Sequence, residues 1–298
     1  MIELAAGDLS LVLAPEIGGS IAAFRKNGVD VMRALTPERA AKGDVLGVAS
    51  FPMLPYANRI DANQFTFDGV TYRFEANNGA ERFNVHGTGW HSKWQAEQLS
   101  DTAVEMTLER SVAGEPYQYR ATQRFELAPE GLTLATTLEN LGPVRMPFGF
   151  GHHPWFERDA DVELTFAAKN FWLEAPDGVA GSRITTPPEL DFSRGAGLPK
   201  HWRNNDYSGW DGSATLRFPS RGVTLVIEAD PIFENLMLYA DPKQSFFCLE
   251  PQTNVPCAVN KLEAGEEGLG LVVLKPGEAM AGVVRFGVRF CNLGLAPA

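Results

Sequence analysis

The chain has 298 residues, a formal net charge of −11, 44% hydrophobic residues and 21% charged residues. This is ordinary globular composition at a length that allows a sizeable core, and the absence of a linker-like segment favours one domain over residues 1–298. The acidic balance, without a basic cluster, argues against nucleic acid and anionic membrane surfaces as partners.

The N-terminus lacks a basic stretch followed by an apolar run, and no segment approaches 18 uninterrupted apolar residues. We therefore expect neither a signal peptide nor a membrane span. Cys248, Cys257 and Cys291 have no metal-ligand spacing and do not suggest a disulfide framework, which favours a cytoplasmic protein without a metal. The chain also lacks a dinucleotide-binding pattern and a P-loop, so we expect no cofactor.

Short runs of alternating apolar residues, separated by Gly, Pro, Asn and Asp, dominate the chain. One pair of runs flanks Asp68-Gly69 and predicts a hairpin in which Phe67 pairs with Val70. A short helix is predicted within residues 36–43, and helical periodicity is otherwise weak. The pattern predicts an all-β fold, a large antiparallel sandwich or barrel. The other predicted strands include residues 9–13, 103–108, 131–138, 162–166, 214–218, 223–227, 245–250 and 283–290.

The most informative segment is residues 148–156, which read FGFGHHPWF. In a strand, His152 would share a face with two phenylalanines, whereas His153 would lie on the opposite face beyond two glycines. Such a bare strip of backbone suits a ligand that approaches closely. Pro154 is predicted to end the strand and leave His153 at its rim. The alternative is a pair of buried, hydrogen-bonded histidines.

A second candidate lies in the run at residues 245–250, where both faces are apolar until Glu250. Glu250 would share a strand face with Phe246 and Cys248. A carboxylate at a buried strand end must be paired or have a raised pKa, and such a group is a good general acid or base near neutral pH. The alternative is a glutamate that reaches solvent or caps a loop.

Three further segments contain candidate site residues, and those around His86 and Asp206 are predicted to be loops. Arg59 follows a proline-rich aromatic segment, His86 lies with His91 in a Gly- and Trp-rich stretch, and Asp206 lies in the polar run at residues 204–212. Histidines, an arginine, carboxylates and aromatic rings on a β scaffold are the chemistry of a carbohydrate site. The structural alternatives are a surface salt bridge, a Trp-anchored hairpin and an Asx-turn.

Five short motifs occur in one order along the chain: Asn58-Arg59-Ile60, His86-Gly87, His153-Pro154-Trp155-Phe156, Asp206 and Glu250-Pro251-Gln252. Together with residues 14–21 and 274–278, they resemble the aldose 1-epimerase, or galactose mutarotase, family over nearly the whole chain. The resemblance implies a galactose mutarotase-like supersandwich, a large antiparallel β-sandwich with few short helices and a concave cleft for the sugar.

The resemblance also implies residue roles. Glu250 matches the base that removes the proton from the anomeric hydroxyl, and His153 matches the acid that protonates the ring oxygen. The ring then opens, the C1–C2 bond turns, and closure gives the other anomer, a reaction for which we expect acid and base on opposite sides of the C1–O5 unit. The matching sugar contacts are His86, Arg59, Asp206, Asn58, Gln252 and Trp155.

The histidine motif departs from the family's frequent His-Ser-Tyr-Phe, which leaves the identity of the sugar open. One alternative is a non-catalytic sugar-binding or sensor protein, although this chain keeps matches to both acid and base. Another is a mutarotase for phosphorylated hexoses, which would need an Arg/Lys cluster near the cleft. A glycosidase would need Asp206 and Glu250 on either side of the scissile bond. We expect a small-molecule sugar as partner and a monomer or homodimer.

Overall fold

The structure, a computed structural model, describes residues 1–79 and 81–290, so Cys291 lies outside the described residues. Nearly all of its regular structure is antiparallel β-sheet. The strands in the first half are β1 (Ile2–Ala6), β2 (Leu9–Ala14), β3 (Ser20–Lys26), β4 (Val29–Met32), β5 (Ser50–Met53), β6 (Arg59–Ile60), β7 (Gln64–Phe67), β8 (Val70–Arg73), β9 (Asn84–Val85), β10 (Gln95–Ser100), β11 (Ala103–Arg110), β12 (Tyr119–Ala128) and β13 (Gly131–Asn140).

The strands that follow are β14 (Met146–Phe148), β15 (Gly151–Glu157), β16 (Glu163–Glu174), β17 (Ala180–Thr185), β18 (Ala196–Gly197), β19 (Arg203–Phe218), β20 (Val223–Ala229), β21 (Asn235–Ala240), β22 (Phe246–Gln252), β23 (Val272–Leu274) and β24 (Ala279–Phe290). Two short α-helices lie in the described part of the chain, α1 (Pro37–Ala41) and α2 (Ala258–Glu263). No helix there has both the length and the apolarity needed to cross a membrane.

Antiparallel pairing joins most of the described strands into one continuous sheet that folds over on itself. One layer follows the order β1-β2-β3-β5-β15-β22-β21, and the other follows β20-β24-β13-β12-β11-β10. Strand β19 belongs to both layers, because residues 203–208 pair with β21 and residues 213–218 pair with β20. It turns between them at Gly209 and Gly212, whose φ angles of 66° and 83° suit glycine.

The alternating apolar residues of both layers form one buried core. Leu11, Leu134, Leu225 and Leu249 are each 1% exposed or less and belong to the same cluster. Burial of such side chains is the main favourable term in folding, at roughly 25 cal/mol per Å² of apolar surface. The predicted all-β sandwich with few short helices is therefore confirmed.

Two local predictions, a hairpin and a short helix, also hold. Strands β7 and β8 form the predicted hairpin around Asp68-Gly69, with Phe67 opposite Val70. Helix α1 lies in the predicted interval, and the Thr36 side chain caps it by accepting a hydrogen bond from the backbone N–H of Arg39.

Residues 204–212 were predicted to be a loop, and this prediction is wrong because they lie inside β19. Several of their polar side chains have hydrogen-bond partners within the sheet, which lets a strand bury them, whereas Asp206 Oδ1 and the Tyr207 hydroxyl are buried without a partner among the described residues. Asn205 donates to the carbonyl of Trp172 at 2.9 Å, and the Trp172 indole N–H donates to Ser208 Oγ at 3.0 Å.

The prediction that Pro154 ends its strand is also wrong, since β15 continues to Glu157. The Trp155 N–H donates to the Ala49 carbonyl on the β5 side, so the ring nitrogen of Pro154 faces β22. Strands β15 and β22 pair at Gly151 with Gln252 and again at Trp155 with Cys248, but the residues between these two pairs, including Pro154, are not paired with β22. The missing N–H of proline therefore removes no ladder hydrogen bond.

The two glycines before His153 are covered by protein rather than left bare for a ligand. A Cβ at Gly149 would overlap Oδ1 of Asn254, and a Cβ at Gly151 would lie 2.7 Å from Cβ of Gln252. These glycines therefore allow residues 252–254 to pack closely against the backbone. The prediction that these glycines leave room for a ligand to approach the backbone is therefore wrong.

Candidate active site

A cavity of about 250 Å³ opens on one face of the sheet. Its floor consists of alternate residues from four adjacent strands, β5, β15, β22 and β21, as the period of two requires. These floor residues are Phe51, His153, Trp155, Phe246, Cys248, Glu250, Met237 and Tyr239. Its walls and rim come from loops and strand ends and include Asn58, Arg59, Asn78, Glu81, His86, Trp90, Trp202 and Asn204.

His153 lies on the cavity floor, held among aromatic rings. Its ring centroid is 4.5 Å from that of Phe51 and 4.9 Å from that of Trp155, against which it stacks. His86 meets it edge-on at 5.3 Å. The neighbouring His152 points into the core, where its Nε2 lies 3.3 Å from Thr136 Oγ1. The strand alternation that distinguished the two histidines is thus confirmed.

Glu250 and His153 meet in this cavity. His153 Nε2 lies 3.4 Å from Glu250 Oε1, and the Glu250 residue is 3% exposed. Cys248 is two residues away on the same strand face and is fully buried. The candidate acid and base were expected on opposite sides of the sugar's C1–O5 unit, whereas His153 and Glu250 lie side by side on the cavity floor.

Burial sets the protonation of this pair. It lowers the pKa of His153 to about 3, and it raises the pKa of Glu250 well above its ordinary value, with nearby Asp206 raising it further. The pair is therefore a neutral imidazole beside a carboxylic acid. The ion pair of imidazolium and carboxylate contains the same number of protons. One proton transfer across the 3.4 Å contact interconverts the two forms.

His86 occupies the wall beside this pair. Its Nδ1 accepts a hydrogen bond of 3.1 Å from the backbone N–H of Asn58. Burial lowers the pKa of His86 well below its ordinary value, and the neighbouring His153 lowers it further. A neutral ring whose Nδ1 accepts must carry its proton on Nε2. His86 therefore offers a hydrogen-bond donor near the floor of the cavity.

Arg59 is held in place by acidic partners at the rim. Its guanidinium lies 3.3 Å from a Glu81 oxygen and 3.5 Å from a Glu174 oxygen, and it donates to the Gly178 carbonyl at 2.9 Å. Glu174 also accepts hydrogen bonds from Asn204 Nδ2 at 2.8 Å and from the Trp202 indole at 2.9 Å. This network holds the donor groups of Arg59, Asn204 and Trp202 in place at the mouth of the cavity, and the two glutamates neutralise the charge of Arg59.

Asp206 and Gln252 lie behind the cavity floor rather than in it. Both are fully buried, and Gln252 Nε2 donates to Asp206 Oδ2 at 2.7 Å. Asp206 borders a narrow adjacent crevice that also touches Asn58 and Arg59. Burial raises the pKa of Asp206 to about 7, and the Gln252 hydrogen bond opposes this rise.

The structure therefore gathers six of the eight candidate residues around one cavity. They are Glu250, His153, His86, Arg59, Asn58 and Trp155. His91 lies outside the cavity lining and is exposed, where it packs on Trp90 and its Nε2 contacts the Asn77 carbonyl at 2.8 Å.

Sequence reasoning did not propose several residues that line the cavity. Phe51, Trp202, Tyr239 and Cys248 belong to this group. Only Cys248 had a usable signal, because strand alternation places it on the same face as Glu250. The others come from segments whose position depends on pairing between distant strands.

A largely aromatic cavity with a buried histidine–glutamate pair on its floor, on a sheet folded over itself, is typical of a galactose mutarotase-like β-sandwich protein. Comparisons with known proteins agree. A sequence profile of the family described as aldose 1-epimerase matches residues 1–287. The uncharacterized protein YphB of Escherichia coli K12 is 31% identical over 284 residues, which cover 93% of this chain and 94% of YphB. The chain belongs to the aldose 1-epimerase family.

Solved structures share the fold. A crystal structure of an Escherichia coli K12 protein, provisionally assigned as an aldose 1-epimerase, matches with a TM-score of 0.88 at 30% identity and covers 97% of this chain and 98% of that one. A galactose mutarotase-like protein from Clostridium acetobutylicum matches with a TM-score of 0.84 at 22% identity and covers 97% and 94%. The second likeness concerns the fold alone.

Proposed function

We propose that this protein is an aldose 1-epimerase that interconverts the α and β anomers of a free, uncharged aldose. The observation that carries the proposal is the contact of 3.4 Å between His153 Nε2 and Glu250 Oε1 on the floor of a sugar-sized cavity. Mutarotation needs no nucleophile, and positioned acid and base groups each typically accelerate such reactions by about 10²–10⁴-fold.

The proton balance of the pair fits the reaction. With Glu250 as carboxylate and His153 as imidazolium, Glu250 takes the proton of the anomeric hydroxyl while His153 gives a proton to the ring oxygen. The C1–O5 bond breaks, and the pair becomes a carboxylic acid beside a neutral imidazole. Rotation about C1–C2 and the reverse proton transfers then close the ring on the other face. Each turnover returns the pair to its starting state.

The position of the two groups suits the reacting atoms. O1 and O5 are bonded to the same carbon, so they are close neighbours, and an acid and a base that lie side by side can reach both at once. Burial favours the neutral pair. Sugar hydroxyls bring dipoles that stabilise the ion pair, so substrate binding itself prepares the reactive form.

An uncharged sugar suits the rim better than a phosphorylated one. Among the described lining residues, Arg59 is the one lysine or arginine, and Glu81 and Glu174 already neutralise it. A phosphate would need unpaired cationic donors. The hydroxyls of a neutral aldose instead match the donors of His86, Asn204 and Arg59. The aromatic rings of Trp155 and Tyr239 suit the apolar faces of a sugar ring.

Polarimetry with freshly dissolved α-anomers of common aldoses tests the proposal. The protein should speed the approach to anomeric equilibrium for at least one aldose. The Glu250→Gln variant should lose about 10²-fold or more of this rate and still bind the sugar in calorimetric titration. Saturable binding without any acceleration would instead identify a carbohydrate-binding or sensor protein. Unchanged turnover in the variant would remove Glu250 from the mechanism.

A further inference from the structure

The cavity floor contains a third chemically reactive group beside the acid–base pair. One ligand atom each from His153, Cys248 and Glu250 lies within 4.8 Å of the other two. Within residues 1–79 and 81–290, this is the one group of at least three His, Cys, Asp or Glu side chains that meets this condition. Mutarotation gives the Cys248 thiol no role. Its position therefore calls for a separate explanation.

The three side chains converge because of strand register. Cys248 and Glu250 are two residues apart on β22, so both point to the cavity face. Cys248 pairs across the ladder with Trp155, and His153 lies two residues from Trp155 on the same face of β15. Three ligand groups are thus fixed on two adjacent strands, whose backbone is more rigid than that of a loop.

One of the three spacings matches that between two ligands of a tetrahedral metal ion. Two ligands at about 2.1 Å from such an ion lie about 3.4 Å apart, and His153 Nε2 is 3.4 Å from Glu250 Oε1. The thiol is within 4.8 Å of the other two groups, so a contraction on the order of 1 Å completes a three-ligand arrangement. The open side of the cavity leaves the fourth position to water or to a hydroxyl.

The donor chemistry selects the class of cation. A thiolate and a carboxylate supply two negative charges, and a neutral imidazole adds none, so the set balances a divalent ion. Thiolate and imidazole ligands favour zinc and cadmium, whereas magnesium and calcium require oxygen ligands. Besides the His153 contact, the Glu250 carboxyl accepts no hydrogen bond from a described residue. It is therefore available as a ligand.

We propose that His153, Cys248 and Glu250 form a binding site for a zinc-class divalent cation that competes with the sugar. On binding, the Cys248 thiol releases one proton to solvent, and the His153–Glu250 pair releases another. The ion is then coordinated by the lone pairs of His153 and Glu250, so these groups can no longer accept or donate a proton to the sugar. The bound ion also fills the floor of the cavity. The site would therefore switch the proposed epimerase off reversibly as the availability of zinc rises.

Cadmium provides a direct readout, because cadmium bound to a thiolate absorbs in the ultraviolet through charge transfer. Titration of the chelator-treated full chain should produce this band, and magnesium should not. Cys248→Ser should abolish it, whereas the matched control Cys257→Ser should retain it, since Cys257 is also buried but does not line the cavity. Persistence of the band in Cys248→Ser, or its absence from the wild type, would overturn the proposal.

Two other variants keep the test decisive if Cys248→Ser does not fold. Glu250→Gln and His153→Gln should each weaken cadmium binding by at least about 10-fold, the lower end of what losing even an outer-shell partner costs. Unchanged affinity in both would exclude a three-ligand site.

Steady-state kinetics test whether zinc and the sugar compete for the same site. Zinc should raise the apparent KM for the aldose in polarimetry without changing kcat, and inhibition that sugar cannot relieve would contradict a shared site. The cadmium band requires no turnover, so a failure of metal binding is distinguishable from a failure of the proposed epimerase activity.

Discussion

Asn58 and His86 hold each other through two hydrogen bonds, one in each direction. The Asn58 backbone N–H donates to His86 Nδ1 at 3.1 Å, and the His86 backbone N–H donates to the Asn58 carbonyl at 2.9 Å. Both residues have left-handed backbone conformations, with φ of 63° and 59°. Such conformations cost on the order of 1–3 kcal/mol and persist where the surroundings impose them, often at functional sites. The pair fixes the His86 ring with its Nε2–H available to the cavity.

This geometry predicts a specific effect of His86→Asn. Asparagine tolerates the left-handed backbone, and its Oδ1 replaces Nδ1 as acceptor for Asn58, but it has no counterpart of Nε2–H. We expect KM for the aldose to rise roughly 2- to 13-fold, which corresponds to about 0.5–1.5 kcal/mol for one hydrogen bond, with a smaller change in kcat. Steady-state polarimetry measures both constants.

The control for His86 is His86→Leu, which loses the Asn58 contact as well. It should lower thermal stability more than His86→Asn does. Equal KM values for wild type and His86→Asn would show that Nε2–H does not contact the sugar.

The proposed acid–base pair of Glu250 and His153 should behave as one unit. Glu250→Gln and His153→Gln should each lower kcat by about 10²–10⁴-fold. Because either loss stops the paired proton transfer, the double variant should be about as slow as the slower single variant. Polarimetric rates for the three variants form a double-mutant cycle. Fully multiplicative losses would show that the two groups act independently, despite their contact at 3.4 Å.

His152 offers a matched control for His153. His152→Leu leaves the buried Thr136 hydroxyl without its partner, so we expect a loss of about 1–3 kcal/mol in the free energy of unfolding and little change in kcat. Adding Thr136→Val should recover part of the lost stability, since neither polar group then remains unpaired. Urea unfolding and polarimetry check the two effects. A folded His152→Leu protein without activity would make His152 the candidate acid instead.

The buried carboxyl of Asp206 should make stability depend on pH. Burial raises its pKa to about 7 from the ordinary aspartate value of 3.8. Between these values the unfolded chain has released a proton that the folded protein still holds, so the free energy of unfolding falls as pH rises. Above about pH 7 the penalty is complete, and the shift corresponds to at most about 4 kcal/mol.

Asp206→Asn removes this titration. Relative to wild type, the variant should gain stability progressively as pH rises from about 4 to about 7 and keep a constant gain above that range. Urea unfolding across this interval measures the difference. Parallel stability curves for the two proteins would show that Asp206 does not titrate in this range.

Much of the fold could be predicted because its determinants are local. Alternating apolar residues identified strands such as β11, β13 and β20, and Asp68-Gly69 identified the hairpin through its turn geometry. The same period of two separated His153 from His152. The prediction failed for β19, where polar residues suggested a loop. Asn205 and Asp206 are buried because they have hydrogen-bond partners on other strands, which the local sequence does not specify.

The sequence by itself determined the alternation of strands such as β11, β13 and β20, the Asp68-Gly69 turn, and the order of motifs that resembles the aldose 1-epimerase family. Tertiary structure alone decided that Glu250 touches His153, that Cys248 joins them, and that Asp206 and Gln252 lie behind the floor. The physical reason is that the alternation of side chains between two faces is a property of each strand's own backbone and can be seen in its sequence. The register between distant strands follows from burying every apolar face of the sheet at once.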